Sequence, residues 1–214
     1  MYWVLAVPSD VADGCLSAAG DRTVIDMSGA LKRSGRGRYG LVREGRLLDG
    51  GVPRRGDRLA NPGCFASSVI VGLHNANLAE PGAIVGPIQV VAVGGASTAH
   101  RSQQGGIRLA RRQLDHPHVA EIQQTVPDLI LSQFSLMVAY AQPHGILTVI
   151  RGSLSTTARP EPGKPAVDVN DVVDSAVVVH SLVRNTDSFT LGVALCNLTF
   201  PAANAVKLLD SLPD

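Results

Sequence analysis

The first 27 residues of the chain alternate short apolar runs with a helix-compatible segment. Tyr2–Val7 and Thr23–Met27 are apolar runs of strand length, and Val11–Ala19 between them is compatible with a helix despite Gly14. This order predicts a β-α-β unit, because two parallel strands need a crossover connection, usually a helix. The start of the chain is therefore typical of half of a doubly wound α/β unit.

Length and composition limit the class of protein. The chain has 214 residues, 45% of them apolar, with 19 Lys+Arg and 18 Asp+Glu, which indicates one large globular domain or two small ones. Its apolar runs end well short of the ~18 residues that a membrane span needs. Met1–Pro8 lacks a basic n-region, which argues against a signal peptide. Three cysteines are too few for a disulfide scaffold, so we expect free thiols and a cytoplasmic protein.

The basic residues are concentrated in one stretch. Lys32–Arg58 contains nine basic residues, three acidic residues and seven of the 22 glycines, which predicts a mobile basic loop. Its only aromatic residue is Tyr39, and nucleic-acid binders usually interleave aromatic residues or place their charges on a helix. The stretch is therefore either a solvated surface or a docking site for an acidic partner or a phosphate.

The rest of the chain indicates a mixture of strands and helices. Predicted strands are Ile84–Val93, Phe134–Tyr140, Gly145–Leu154 and Leu191–Leu195, and predicted helices are Val119–Val126 and Pro201–Leu212. The segment that begins at Asp168 has apolar residues at helical spacing, which predicts a helix. They are Val169, Val172, Val173, Ala176 and Val177, and because so many of them are valine, a strand remains the alternative.

Cys64 is the most informative single residue. It follows Asn61-Pro62-Gly63 and precedes apolar residues at helical spacing, so a helix beginning near Cys64 is predicted. A thiol in the first turn of a helix lies among unpaired N–H groups at the positive end of the dipole, which favours the nucleophilic thiolate. The same N–H groups can stabilise an oxyanion. On spacing alone, a buried structural cysteine remains an alternative.

The segment around Cys64 resembles that of a known family. Residues 60–66, Ala-Asn-Pro-Gly-Cys-Phe-Ala, are similar to the active-site segment of N-acetyl-gamma-glutamyl-phosphate reductases, relatives of aspartate-semialdehyde dehydrogenases, whose cysteine forms a thioacyl intermediate. Five other segments resemble that family in the same order, so the resemblance covers nearly the whole chain. They are Tyr2–Pro8, Thr23–Ala30, His116–Ile122, Pro143–Ser155 and Cys196–Val206.

The resemblance implies roles for individual residues. Cys64 matches the catalytic nucleophile, and His118, the second histidine of a His-x-His segment, matches the general acid/base, with His116 the other candidate. Thiol chemistry independently needs an imidazole that can take the thiol proton and return it. The residues assigned to substrate binding are Asn61, Arg151, His116 and Glu121. A surface ion pair for Arg151 and a helix-surface carboxylate for Glu121 remain alternatives. The remaining histidines lack metal-ligand spacing, so no metal site is predicted.

The sequence departs from these reductases where they bind NADP. It starts at what resembles the later half of their nucleotide-binding domain. Gly35–Gly40 spells G-x-G-x-x-G, but six residues separate it from Ser28, and a Gly/Arg-rich stretch rather than a hydrophobic helix follows it. Phe200-Pro201 replaces the family's Lys-Gly, and Cys196 replaces its Asp. We therefore predict no cofactor, and hydride transfer is not expected.

A reactive thiol without a hydride donor can isomerise a conjugated polyene by reversible addition. Truncated proteins of this kind are associated with polyketide pathways that turn carrier-bound polyenes into cinnamoyl-type aryl groups. The resemblance thus implies a cysteine-dependent cis/trans isomerase of a polyenoyl thioester on an acyl carrier protein. An NADP-dependent reductase whose nucleotide half comes from another chain, and a non-catalytic partner protein, remain the alternatives.

These inferences predict an α/β chain in three parts. Residues 1–58 would form a truncated Rossmann-like unit, and residues 59–195 an α+β catalytic domain like that of semialdehyde dehydrogenases, with a mostly antiparallel sheet. Residues 196–214 would contain a C-terminal helix that packs back on the N-terminal unit. We expect a homo-oligomer that binds neither nucleic acid nor membranes.

Overall fold

The structure is a computed structural model that describes residues 2–43, 46–96, 107–112, 114–126, 128–139, 145–156, 170–173, 176–184, 187–195 and 200–213. Its elements, in chain order, are β1 (Tyr2–Leu5), α1 (Ser9–Ala18), β2 (Thr23–Asp26), α2 (Ala30–Ser34), β3 (Arg38–Tyr39), β4 (Val42–Arg43), β5 (Arg46–Leu47), β6 (Arg58–Ala60), α3 (Cys64–Asn75), β7 (Ile84–Gly95), β8 (Ile107–Arg112), α4 (Pro117–Thr125), β9 (Leu131–Ala139), β10 (Ile146–Leu154), β11 (Asn170–Val173), β12 (Ala176–Arg184), β13 (Ser188–Leu195) and α5 (Phe200–Asp210). Each described helix is too short or too polar to cross a membrane.

The chain divides into two compact units, Met1–Gly63 with Thr199–Asp214, and Cys64–Leu198. The first unit contains a parallel sheet and a two-stranded β4–β5 ribbon, and the second contains a mixed sheet. Helices accompany both larger sheets, which confirms the predicted α/β class. The Rossmann-like and dehydrogenase-like assignments stay predictions.

The parallel sheet of the first unit has the strand order β1-β2-β6-β3 and is buried on both faces at its centre. Val24 and Ile25 are both fully buried, yet they belong to different cores because successive residues of a strand point to opposite faces. Val24 packs with Leu16 of α1, and Ile25 packs with Leu208 of α5. This two-sided burial explains the continuous apolar runs that predicted the strands.

The buried side-chain amide of Asn204 connects helix α5 to other parts of the first unit. The Nδ2 of Asn204 donates to the carbonyl of Gly40 at 2.6 Å and to Oδ1 of Asn61 at 3.0 Å. Its Oδ1 accepts from the N–H of Val42 at 2.9 Å. Asn204 is 2% exposed, so each of these groups would lose a buried hydrogen-bond partner if its amide were lost.

Replacing Asn204 by aspartate should therefore destabilise the first unit by about 2–4 kcal/mol, because a buried carboxylate oxygen would face two acceptor oxygens. Urea unfolding followed by fluorescence of Trp3, the single tryptophan, measures this. Val206→Asp is the matched control, since Val206 is exposed on the same helix. Equal unfolding midpoints for the two variants would contradict the structural role of Asn204.

The basic stretch contains short helix and strand segments in its described residues, so the prediction of a loop throughout Lys32–Arg58 is wrong. Arg38 lies at its centre, with Nη1 at 2.6 Å from Oδ2 of Asp57 and Nη2 at 3.0 Å from Oδ2 of Asp49. Burial raises the pKa of Asp49, but the N–H of Gly51 and the Arg38 guanidinium outweigh it and leave that pKa below its usual range. Because the folded pKa is lower, this ion pair contributes stability at neutral pH that is lost as the pH falls through the acidic range.

The second unit is built on a seven-stranded sheet with the order β11-β12-β13-β10-β7-β9-β8. Strands β7 and β9 are parallel, and the other neighbouring pairs are antiparallel. Helix α3 packs on this sheet against β10 and β13. All residues of α3 from Phe65 to Leu73 are buried, and Gly72 lets the helix approach β13 so closely that a Cβ there would overlap Val193.

The two faces of this sheet differ. On β10, Thr148 and Ile150 are fully buried, and the Thr148 hydroxyl lies 2.7 Å from the Ser68 hydroxyl of α3. Leu147 and Arg151, at odd positions of the same strand, are exposed. Because side chains alternate along a strand, these odd residues lie on the face opposite α3.

The helix predicted from Asp168 is wrong in its described part. Asn170–Val173 and Ala176–Arg184 are antiparallel strands, in which Val173 pairs with Ala176. The valine spacing fits a helical period, but β-branched side chains favour strands and β13 offers a pairing edge for β12. Asp168 and Val169 lie outside the described residues, as does Cys196.

Candidate functional site

Cys64 is the first residue of α3, as the sequence predicted. It is half-buried, and neither Cys64 nor Cys15 is in a disulfide. The first turn of a helix has backbone N–H groups without intrahelical partners, and the helix dipole adds positive potential there. The fold thus places the Cys64 thiol where a thiolate or an oxyanion is stabilised.

A second helix start lies in the same unit at α4. His116 caps this helix, since its Nδ1 accepts a hydrogen bond from the N–H of His118 at 3.2 Å. Pro117 occupies the first helical turn, where a residue without an N–H costs no hydrogen bond. The cap and the proline together fix the backbone that carries His118.

His118 is paired with a buried carboxylate. Its Nδ1 lies 3.1 Å from Oε2 of Glu121, three residues later on the same helix. The Glu121 side chain is 1% exposed, whereas that of His118 is 19% exposed. When Glu121 is ionised, its carboxylate can only accept a hydrogen bond, and the neutral His118 ring then donates from Nδ1. Nε2 then carries the lone pair that a general base needs.

Phe65 brings the starts of the two helices together. Its ring centroid lies 5.9 Å from that of His118, and the rings are tilted by 50°. Phe65 directly follows Cys64, so His118 lies beside the first turn of α3, the helix that Cys64 begins. The centroid of the His116 ring lies 4.8 Å from that of His118 and 5.9 Å from that of Phe134.

Thus four of the six predicted residues, Cys64, His116, His118 and Glu121, lie on the first turns of α3 and α4 or directly beside them. Glu121 contacts His118 rather than solvent, so the structure gives it a part in orienting that histidine. In the described residues, no three His, Cys, Asp or Glu side chains cluster as a metal site would require.

The structure gives different surroundings to the other two predicted residues. Asn61 is 2% exposed in the first unit, where its Oδ1 accepts from Asn204. Arg151 is exposed on the sheet face opposite α3. Their assignment to substrate binding stays a prediction.

Comparisons with known proteins give no family. No protein-family model and no curated protein matched the chain. The resemblance to the reductases therefore stays a prediction, and the chemistry of the site is derived from its own residues.

Two contributions to the site were missed in the sequence. The capping role of His116 could have been found from Pro117, because proline favours the first helical position and the residue before it is then the N-cap. The contact between Phe65 and His118 had no sequence signal, since 53 positions separate the two residues and only the tertiary fold joins them.

Proposed function

We propose that this protein is a cofactor-independent, cysteine-dependent cis/trans isomerase of a conjugated polyenoyl thioester carried by an acyl carrier protein. The observation that carries the proposal is the His118–Glu121 pair beside the first turn of the helix that Cys64 begins. A thiol, a base with a fixed tautomer and an orienting carboxylate form the arrangement that activates a nucleophile.

The reaction needs no outside reagent. The Cys64 thiolate, formed when Nε2 of His118 takes its proton, adds to an electron-poor carbon of the polyene. The electron pair of the attacked double bond moves through the conjugated system to the thioester oxygen and gives an enolate. The former double bond is now single and can rotate. Return of the electron pair expels the thiolate and restores the double bond, so neither protons nor electrons are gained or lost.

The local structure of the glycine motif favours this reaction over hydride transfer. Gly35 ends α2 with a left-handed φ of 62°, and strand β3 follows it. A Cβ at Gly37 would come within 2.9 Å of the Arg58 carbonyl, so that glycine is needed for packing. A dinucleotide fingerprint has the reverse order, with a strand before the glycines and a helix after them.

Part of the basic stretch can serve an acidic carrier protein. Arg36 pairs with Asp13 at 2.7 Å, and Arg58 donates to two carbonyls of the first unit. Arg33, Arg54 and Arg55 are exposed and make no ion pair with a described carboxylate. Exposed guanidinium groups suit the negative surface and phosphopantetheine phosphate of such a carrier.

The decisive experiment incubates the purified protein with an all-trans polyenoyl-pantetheine and follows the cis product by chromatography. We expect isomerisation without added nucleotide and, by mass spectrometry, a mass increase equal to the substrate on the peptide that contains Cys64. Cys15→Ala, which removes the other described thiol, should form the same adduct. Dependence of turnover on NADPH, or an adduct confined to another residue, would contradict the proposal.

A further inference from the structure

We propose that His116 is a catalytic hydrogen-bond donor, whose neutral imidazole donates its Nε2–H to the carbonyl oxygen of the acyl thioester and to the enolate oxygen that forms from it. This inference rests on the proposed function and deepens it. It assigns a different role to each histidine. His118 takes up the thiol proton, and His116 stabilises the charge that develops on oxygen.

The cap geometry fixes the tautomer of His116. Its Nδ1 accepts the N–H of His118, so the lone pair of Nδ1 is already used. A proton on Nδ1 would place two N–H groups against each other and cost the helix its cap. The neutral ring therefore carries its proton on Nε2, on the far side of the ring from the N-terminus of α4.

The surroundings keep His116 neutral. Burial lowers its pKa, and the neighbouring His118 lowers it further. Asp115 and Glu121 act in the opposite direction but do not reverse the shift. Protonation of His116 would therefore require a lower pH than protonation of an ordinary histidine. A neutral imidazole held at the N-terminus of a helix is a known electrophilic device for polarising a carbonyl.

The two histidines consequently carry opposite tautomers. An ionised Glu121, 3.1 Å from Nδ1 of His118, holds the ring proton on Nδ1, which leaves Nε2 as an acceptor. The helix cap holds the proton of His116 on Nε2, which leaves a donor. The ring centroids are 4.8 Å apart, so an acceptor and a donor lie on neighbouring rings. Conjugate addition needs one of each, because the thiol loses a proton while the thioester oxygen gains charge.

No proton moves from His116 during the step. The electron pair displaced by the thiolate accumulates on the thioester oxygen, and the hydrogen bond from Nε2 shortens as the charge grows. When the electron pair returns and the carbon–sulfur bond breaks, His116 still carries its proton on Nε2. Such a fixed donor stabilises the intermediate without reorganisation, which is why one donor is typically worth about 10²–10³ in rate.

Two variants distinguish the role of His116 as a hydrogen-bond donor from its role as the N-cap of α4. His116→Asn keeps an oxygen near the position of Nδ1 that can cap the helix, but it places no donor near Nε2. His116→Gln reaches that region with an amide N–H. With polyenoyl-pantetheine, we expect a fall of about 10²–10³ in kcat for His116→Asn, and partial recovery for His116→Gln. Thermal unfolding checks that both variants fold.

Alkylation of Cys64 by iodoacetamide at pH 7 shows which histidine serves the thiol. His116→Asn should alkylate within about twofold of the wild-type rate, whereas His118→Ala should alkylate about tenfold more slowly, since only His118 handles the thiol proton. Full isomerase activity in His116→Asn, or a loss of alkylation as large as that of His118→Ala, would overturn the inference.

An infrared readout keeps this inference separate from the proposed function. A saturated acyl-pantetheine labelled with carbon-13 at its thioester carbonyl cannot isomerise, and this carbonyl, when bound, should absorb at lower frequency in the wild type than in His116→Asn. That shift in a protein without isomerase activity would support the donor and overturn only the proposed function. Equal frequencies in a protein that does isomerise would overturn only the donor.

Discussion

Cys64→Ser should reduce cis/trans isomerisation of a polyenoyl-pantetheine by about 10³-fold or more. A serine hydroxyl keeps the size and position of the side chain, but at neutral pH it is a far weaker nucleophile and a far poorer leaving group than a thiolate. Chromatography of the cis and trans products over time, with enzyme in excess, measures the loss.

Cys15→Ser is the control for this variant. Cys15 lies on α1 and packs beside the core cluster that contains Leu16 and Val24 of the first unit, so its replacement should leave kcat within about twofold. Retention of more than a tenth of the wild-type rate by Cys64→Ser would show that the thiol does not form the covalent bond.

Glu121→Gln should lower the isomerisation rate by about 10²–10⁴, because Glu121 orients His118. The glutamine amide can donate to Nδ1 of His118, which would move the ring proton to Nε2 and block the base. Gln123→Ala, on the exposed side of the same helix, should have little effect.

The tautomer of His118 distinguishes this positioning role from a structural one. Nitrogen-15 NMR of labelled histidine should show the proton of His118 on Nδ1 in the wild type and on Nε2 in Glu121→Gln. Loss of activity in Glu121→Gln with an unchanged tautomer would mean that Glu121 acts through stability alone, and the orienting role would be wrong.

Local signals predicted much of this fold. The apolar runs around Val11–Ala19 predicted the opening β-α-β unit, and Pro62-Gly63 followed by helical spacing predicted the start of α3 at Cys64. These predictions succeed because they depend on residues a few positions apart. His118 and Glu121 are three positions apart on a helix, so their contact was also within reach of the sequence.

The predictions that were wrong concern residues whose structure depends on partners far away in the sequence. Arg38 contacts two aspartates that are 11 and 19 positions away, so a stretch rich in glycine and arginine contains strands where its composition predicted a loop. Val172 and Val173 satisfy a helical period, but pairing with β12 decides their structure. The sheet face on which Arg151 lies depends on where α3 packs, which no local pattern encodes.

The hydrogen bonds between Asn204 and the residues Gly40 and Val42 affect the order in which the first unit is completed during translation. Gly40 and Val42 are more than 160 positions before Asn204, and the whole second unit is encoded in between. A ribosome making about 5–20 residues per second delivers all of Cys64–Leu198 before α5 emerges. The part of the protein that is made first is thus completed last, and until then Ile25 and Leu59 lack their cover from Leu208. A chaperone that binds exposed apolar surface would meet the nascent chain at the parallel sheet.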